Sequence, residues 1–175
     1  MPRPLSNTYS PFMQGYIDRT TGNNVQEIVD NHHQQLVDFY MSIPEDMSDF
    51  RYAANKWSIK EIVFHVIDTD LIFGFRALSI SRGETQVLNG FDQDQYIQNA
   101  AVDQQTFAAL KQMFQAQRES TKHLVLSFTE QQLQTIGKVA DYSLSVNAAC
   151  FVLFGHALHH MHVLQERYFP LKRIQ

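Results

Sequence analysis

The chain has 175 residues, 44% of them hydrophobic and 18% charged, a composition typical of one globular domain. Its single cysteine excludes an intramolecular disulfide, and no apolar leader follows Met1, so we expect a cytoplasmic protein. The longest apolar run, residues 148–154, is far shorter than the roughly 20 residues that cross a bilayer. A net charge of -4 without a basic cluster argues against a nucleic-acid partner. We expect one domain over residues 1–175, with residues 1–10 an extended arm.

The first half of the chain has two stretches with helical periodicity. Apolar residues recur at steps of three and four over residues 24–43, after a predicted short helix at residues 11–18 and an N-cap at Asn23 or Asn24. A second long helix is predicted from Ser58, which forms a capping-box pattern with Glu61, to Gly83. Its apolar residues surround much of its circumference, so we expect this helix to lie deep in the fold.

The second half predicts two more long helices. One covers residues 106–128, and the other covers residues 144–169 and ends at Pro170. Residues 82–103 show no sustained period and form a long connection with room for a short helical piece, and residues 137–143 are predicted to be a turn. No strand pattern of useful length is present. The sequence therefore predicts an all-α four-helix bundle with a long connection between helices 2 and 3.

Eight histidines distinguish the composition, and three of them have the pattern of a metal site. His156 and His160 are four residues apart, so on a helix their imidazoles share one largely apolar face. His65 lies on a similar stripe of the second helix. Three neutral imidazoles leave an open position on a tetrahedral ion, as in catalytic sites. The alternative is that these are core histidines satisfied by hydrogen bonds, and periodicity does not separate the two. Ala157 after His156 excludes the zinc-protease helix motif.

Several short motifs occur in a specific order between residues 52 and 168. They are Lys56–Glu61 leading to His65 and Asp68-Thr69, Phe75–Leu78, Ser81–Gly83, Gly90–Asp92 with Tyr96, Gly155-His156, His159-His160 and Glu166–Tyr168. This ordered set resembles the DinB/YfiT-like family of metalloenzymes. One departure is Asp70-Leu71, where the family pattern has Glu-Arg.

The resemblance implies a four-helix bundle with one histidine ligand from the second helix and two from the last, matching His65, His156 and His160. It implies a divalent ion, zinc or nickel, and similarity to thiol S-transferases that act with bacillithiol or mycothiol and to a maleylpyruvate isomerase. We therefore expect a metal-activated thiolate, or water for hydrolysis, acting on a small molecule in a homodimer, with a low-molecular-weight thiol as co-substrate. The alternative is a non-catalytic, metal-binding, stress-related helical protein.

Other residues are candidates for supporting roles. Asp68 follows His65 by three residues and is a candidate to accept a hydrogen bond from a ligand imidazole, or it is a surface charge. Arg76 is a candidate to bind an anionic substrate group, or it pairs structurally with a carboxylate. Tyr96 lies in the long connection, which either covers a pocket or is a solvated loop. Trp57 is expected to anchor the second helix, and Cys150 to be a buried, inert thiol.

Overall fold

The computed structural model describes residues 1–172, with side chains through residue 170, and it has four long helices. These are α2 (Val25–Ser42), α3 (Ile59–Ser81), α5 (Phe107–Leu126) and α7 (Val146–Val163). The shorter helices are α1 (Gln14–Ile17), α4 (Gln93–Asn99), α6 (Glu130–Gln134) and α8 (Phe169–Lys172). The prediction of an all-α four-helix bundle is confirmed, as is that of a short helix before α2.

Side-chain caps fix where the long helices begin. Asn24, Ser58, Thr106 and Ser145 each accept a hydrogen bond from the backbone N–H three residues later. At α3 the predicted capping box is present, because the Ser58 N–H donates to Glu61 Oε2 over 2.6 Å. Such caps each contribute about 1 kcal/mol, and this one fixes the start of the helix that carries His65.

The bundle is not a simple up-and-down arrangement. α3 packs against α5 and α7, and α2 packs against the same two helices. Consecutive long helices α2 and α3 therefore lie across the bundle from each other, as do α5 and α7. The long segments between them, residues 43–58 and 127–145, cover the distance that this arrangement requires. As a result α3 and α7, the helices with the predicted ligands, are direct neighbours.

The segment before α7 is a β-hairpin, which the sequence analysis missed. β1 (Ile136–Val139) and β2 (Tyr142–Ser145) pair antiparallel, and Ala140 in the turn has a φ of 46°. The prediction of a turn over residues 137–143 without strands is wrong, because four-residue strands are too short to show alternation. Leu88 forms a bridge to Val139, so the hairpin also holds the connection between α3 and α5.

The predicted end of the fourth helix at Pro170 is also wrong. Five π-helical residues, Leu164–Tyr168, follow α7, and α8 then includes Pro170. In this wide turn the Phe169 N–H donates to the Leu164 carbonyl. A regular α-turn would press the proline ring against the carbonyl of Glu166, and the π-turn avoids that contact.

Three further predictions are refined by the structure. α3 is buried on most sides, but its outer face exposes Leu71, Phe75 and Leu78, so this helix is less deep than expected. The connection after α3 contains α4 and a 3-10 turn, Val102–Gln104. Residues 1–10 include one 3-10 turn, and Arg3 donates to the Ile17 carbonyl, which ties this segment to α1. No helix within residues 1–172 has the length and apolarity that a membrane span requires.

Candidate metal centre

Three histidines meet between α3 and α7. The ring nitrogens of His65, His156 and His160 that could bind an ion all lie within 4.8 Å of one another. Nε2 of His65 and Nε2 of His156 are 3.0 Å apart. The i, i+4 spacing on α7 places two imidazoles on the face that contacts α3, and α3 supplies the third. The structure thus brings together the three residues that the sequence predicts as ligands.

Burial keeps these imidazoles neutral. Desolvation, with a smaller effect of His159, lowers the pKa of His65 to about 4. Desolvation also lowers the pKa values of His156 and His160 well below the ordinary value, and the neighbouring histidines lower them further. Neutral imidazole is the form that binds a metal ion, so the cluster is ready for coordination at pH 7.

The donor set fits a divalent ion. Two nitrogens bound to one tetrahedral zinc lie about 3.3 Å apart, given zinc–nitrogen bonds of about 2.0–2.1 Å. The 3.0 Å separation between His65 and His156 is close to that value. Nδ1 of His156 and Nδ1 of His160 are buried and have no hydrogen-bond partner. His156 and His160 are therefore not core residues whose ring nitrogens are all satisfied by hydrogen bonds, and the convergence of three imidazoles fits an ion better.

No fourth protein donor joins the cluster within residues 1–170. The group contains His65, His156 and His160, with no carboxylate or thiolate. Asp68 is half-buried, and burial raises the pKa of its carboxyl to about 6, but it makes no hydrogen bond to these imidazoles in the described part of the chain. Cys150 is fully buried, which raises the pKa of its thiol. A three-donor site leaves coordination positions open, as catalytic zinc sites do.

A cavity of about 310 Å³, which we call the histidine cavity, leads to the cluster. Its lining combines two of the histidines with aromatic, polar and small apolar residues: Phe12, Tyr16, His65, Thr69, Phe73, Arg76, Gly90, Phe91, Gln93, Tyr142, Val152 and His156. This volume is at the lower end of the roughly 300–1,000 Å³ typical of small-molecule sites. The cavity therefore accepts a small ligand close to the histidines.

The N-terminal segment forms one wall of the histidine cavity because of Gly155. A Cβ at Gly155 would lie 2.0 Å from the backbone oxygen of Tyr16, so only glycine lets α1 approach α7 this closely. The Tyr16 ring then packs edge-on against His156, with ring centroids 5.3 Å apart, and against His159 at 5.4 Å. The residue directly before a predicted ligand thus determines how the site is covered.

A second cavity, of about 390 Å³, reaches the cluster from the side of His160. Its lining includes Trp57, Gln93, His159 and Arg167. The Trp57 ring lies over His65, with centroids 4.8 Å apart, so this half-buried side chain covers a predicted ligand as well as packing at the start of α3. Gln93, the first residue of α4, lines both cavities, and the cluster is accessible from two directions.

The structure separates the two predicted substrate contacts. Arg76 lines the histidine cavity. Tyr96 is 45% exposed and lies in a neighbouring surface groove of about 520 Å³, against Phe91. Arg76 also borders that groove, so this residue lies between the groove and the histidine cavity. Of the two residues, Arg76 is the one that reaches the cavity with the histidines.

The sequence analysis missed several residues that line the histidine cavity. Phe12 and Tyr16 come from a segment far from α3 and α7 in sequence, and Tyr142 lies on β2 of the hairpin that was not predicted. No local pattern indicates where these side chains pack. Gly155 does carry a signal, since an isolated glycine inside a strongly apolar helix often marks a close backbone approach.

Comparison with known proteins agrees with this architecture. The fold is that of a four-helix bundle with a three-histidine cluster, and residues 28–164 match the model of the DinB superfamily. The chain therefore belongs to the DinB superfamily, as its motifs predicted. Its fold is similar to that of YfiT from Bacillus subtilis, with a TM-score of 0.71 and 14% identity over 97% of this chain and 93% of that one. YfiT is described as a probable metal-dependent hydrolase with an unusual four-helix bundle topology. No curated protein matches the chain.

Proposed function

We propose that this protein is a metal-dependent enzyme whose ion is held by His65, His156 and His160 and which transfers a low-molecular-weight thiol to a small electrophile. One observation carries the proposal: three imidazoles, those of His65 and His156 buried and that of His160 partly buried, converge without a fourth protein donor in the described chain. A divalent ion bound there supplies a thiolate or hydroxide nucleophile at neutral pH, because it lowers the pKa of a coordinated thiol or water.

The residues around the cluster bind and orient the reactants. Phe12, Tyr16 and Phe91 supply aromatic surface to the wall of the histidine cavity, against which an apolar part of a reactant packs. The two cavities give the thiol and the electrophile separate routes to the same three histidines. Arg76 is the proposed contact for the substrate, whereas Tyr96 lies outside the cavity and Asp68 makes no hydrogen bond to the imidazoles.

Hydrolysis is the second candidate, and it uses the same site with water in place of the thiol. It is supported by the description of YfiT, whose fold this chain shares. A non-catalytic metal-binding role is the less favoured alternative, because a purely structural ion normally has four protein ligands and this cluster supplies three.

The experiment supplies the zinc-loaded or nickel-loaded protein with bacillithiol or mycothiol and 1-chloro-2,4-dinitrobenzene. In the expected reaction a sulfur–carbon bond forms, the carbon–chlorine bond breaks, chloride leaves with the bonding electrons and the thiol proton goes to solvent. The expected result is thioether formation that requires both metal and thiol. Hydrolysis of 4-nitrophenyl acetate without thiol would instead identify the water reaction.

A matched pair of variants gives the control. His65→Ala is expected to abolish turnover, whereas His162→Ala, which alters a histidine on α7 that lies near Arg19, is expected to retain it. Equal rates for wild type and His65→Ala, with either nucleophile, would show that the cluster is not catalytic.

We further propose zinc or nickel as the ion, the cytoplasm as the location and a homodimer as the assembly. Imidazole donors suit zinc and nickel alike. The dimer is supported by exposed apolar side chains on one side of the molecule, at Leu71, Phe75 and Val87. Sedimentation of wild type and of Phe75→Glu tests the dimer, and a wild-type monomer would contradict it.

A further inference from the structure

Arg76 is a buried cation without a carboxylate partner. Its side chain is 3% exposed, and its guanidinium carbon lies 4.8 Å from the centroid of the Phe73 ring and 5.7 Å from that of Phe91. One hydrogen bond, to the Asn89 carbonyl, measures 2.7 Å. Within residues 1–170 no carboxylate oxygen lies within 4.0 Å of this guanidinium. Its charge is therefore not neutralised by the described protein.

Arg118 is a second buried arginine, and its environment differs from that of Arg76. It is fully buried, and it forms an ion pair with Asp70 at 2.7 Å. A buried charge is strongly unfavourable unless an opposite charge and hydrogen bonds compensate it. Both guanidinium groups lie over aromatic rings and donate to one backbone carbonyl, and only Arg118 also has a carboxylate partner. The difference indicates that an anion from outside the chain completes the Arg76 site.

The position of Arg76 connects this anion with the histidine cluster. His65, Thr69, Phe73 and Arg76 follow one another along α3 at steps of four, four and three, and all four line the histidine cavity. At 1.5 Å per residue, the Cα atoms of His65 and Arg76 are about 16 Å apart along the helix. The cavity therefore has the histidines at one end and a cation at the other.

A second polar group points to a ligand between these ends. Thr69 is 2% exposed, lines the cavity, and its hydroxyl has no hydrogen-bond partner. Buried hydroxyls are normally satisfied, so a ligand with a polar group in its middle region would complete this one. Phe12, Phe73, Phe91 and Val152 make much of the remaining wall apolar, and Tyr16, Gln93 and Tyr142 are its other polar side chains.

We propose that Arg76 is a carboxylate-binding residue and that the electrophile of this enzyme is a small, elongated carboxylate whose largely apolar body has one polar group facing Thr69. Its carboxylate binds Arg76, and its reacting group lies at the histidine end. A carboxylate is favoured over a phosphate because a single guanidinium matches one negative charge in a planar fork and no lysine lines the cavity. This inference rests on the proposed function, since it identifies the substrate class of that site.

The test measures binding of 3-phenylpropionate and of its neutral amide, 3-phenylpropionamide, by calorimetry. The full-length protein is used both with one equivalent of zinc and after chelation, so that attraction of the carboxylate to the ion is measured separately. The expected result is at least tenfold tighter binding of the carboxylate in both states. Arg76→Gln is expected to remove this preference, while Arg82→Gln, an exposed arginine at the end of the same helix, is expected to keep it.

The outcomes separate this inference from the proposed function. A preference that persists in Arg76→Gln, or no detectable binding of 3-phenylpropionate to the wild type, would overturn the Arg76 assignment. Zinc stoichiometry measured on the same samples reports on the histidine site independently of Arg76. If Arg76→Gln does not fold, Arg76→Lys is used instead, because it keeps the charge but loses the planar fork. Its preference for the carboxylate over the amide is expected to be at least threefold weaker than that of wild type. An unchanged preference would contradict the inference.

Discussion

Replacement of Gly155 by alanine tests how the N-terminal segment covers the histidine cavity. The added Cβ would lie 2.0 Å from the Tyr16 carbonyl oxygen and 2.5 Å from its carbonyl carbon, both of them backbone atoms. The backbone of α1 would have to retreat by about 1.4 Å to restore an ordinary contact of 3.4 Å. Because backbone atoms of a packed segment cannot rotate away as a flexible side chain does, the variant must either strain α7 or separate α1 from it.

The expected loss is near the upper end of the roughly 1–3 kcal/mol that overpacking costs, so about 2–3 kcal/mol. For a chain of this size that corresponds to a fall in melting temperature of roughly 5–10 °C. Thermal unfolding followed by circular dichroism measures it. The ligands themselves are untouched, so zinc binding is expected to survive.

Gly15→Ala is the matched control. Gly15 lies in α1 itself, and a Cβ there would meet nothing within 4 Å. Alanine stabilises a helix relative to glycine by about 0.5–1 kcal/mol, so the control is expected to be neutral or slightly more stable. A melting temperature of Gly155→Ala within about 2 °C of wild type would refute the close approach of α1 to α7.

Three other predictions concern stability. Arg118→Met leaves the Asp70 carboxylate buried without its ion-pair partner, and it is expected to lower the free energy of unfolding, measured in urea, by about 3–5 kcal/mol. Adding Asp70→Leu is expected to restore stability, and a double variant no more stable than Arg118→Met would contradict this. Burial lowers the pKa of His32, so the unfolded chain binds its proton first and stability falls as the pH drops below 6.5. His32→Gln is therefore expected to reduce the fall in melting temperature between about pH 7.5 and 5.5. An equal fall in wild type and variant would show that His32 does not cause this pH dependence. Ser58→Ala removes the α3 cap and is expected to cost about 1 kcal/mol, whereas Ser58→Thr keeps it; equal losses would exclude capping.

Local signals in the sequence were sufficient to predict the long helices and two of the three histidines. The Ser58 and Glu61 pair and the Asn24 cap are interactions between residues three apart, so the sequence contains both partners. His156 and His160 share a face because of helical geometry alone. Helical geometry alone does not show that His65 joins them, because that depends on which helices are neighbours in the bundle. The ordered family motifs indicated that His65 is the third histidine of the site.

Features that depend on contacts between distant segments were not predictable in this way. Each strand of the hairpin has four residues, and the pairing of Gly137 with Leu144 becomes visible only in the folded chain. Pro170 ended the predicted helix because a regular α-turn cannot accept it, and the π-turn before it is a conformational alternative that local propensity does not indicate. The closure of the cavity by Tyr16 depends on α1 packing against α7, 140 positions later in sequence.

The central claim is the metal site, and its most direct test is elemental analysis of the protein purified without an affinity tag or added metal. Wild type and the control His162→Ala are expected to contain about one equivalent of a divalent metal, as a single three-histidine site requires. His160→Ala, which removes one imidazole from the cluster, is expected to lose it. Equal metal content in folded His160→Ala and wild type, or no uptake of zinc or nickel by the wild type on titration, would contradict the account.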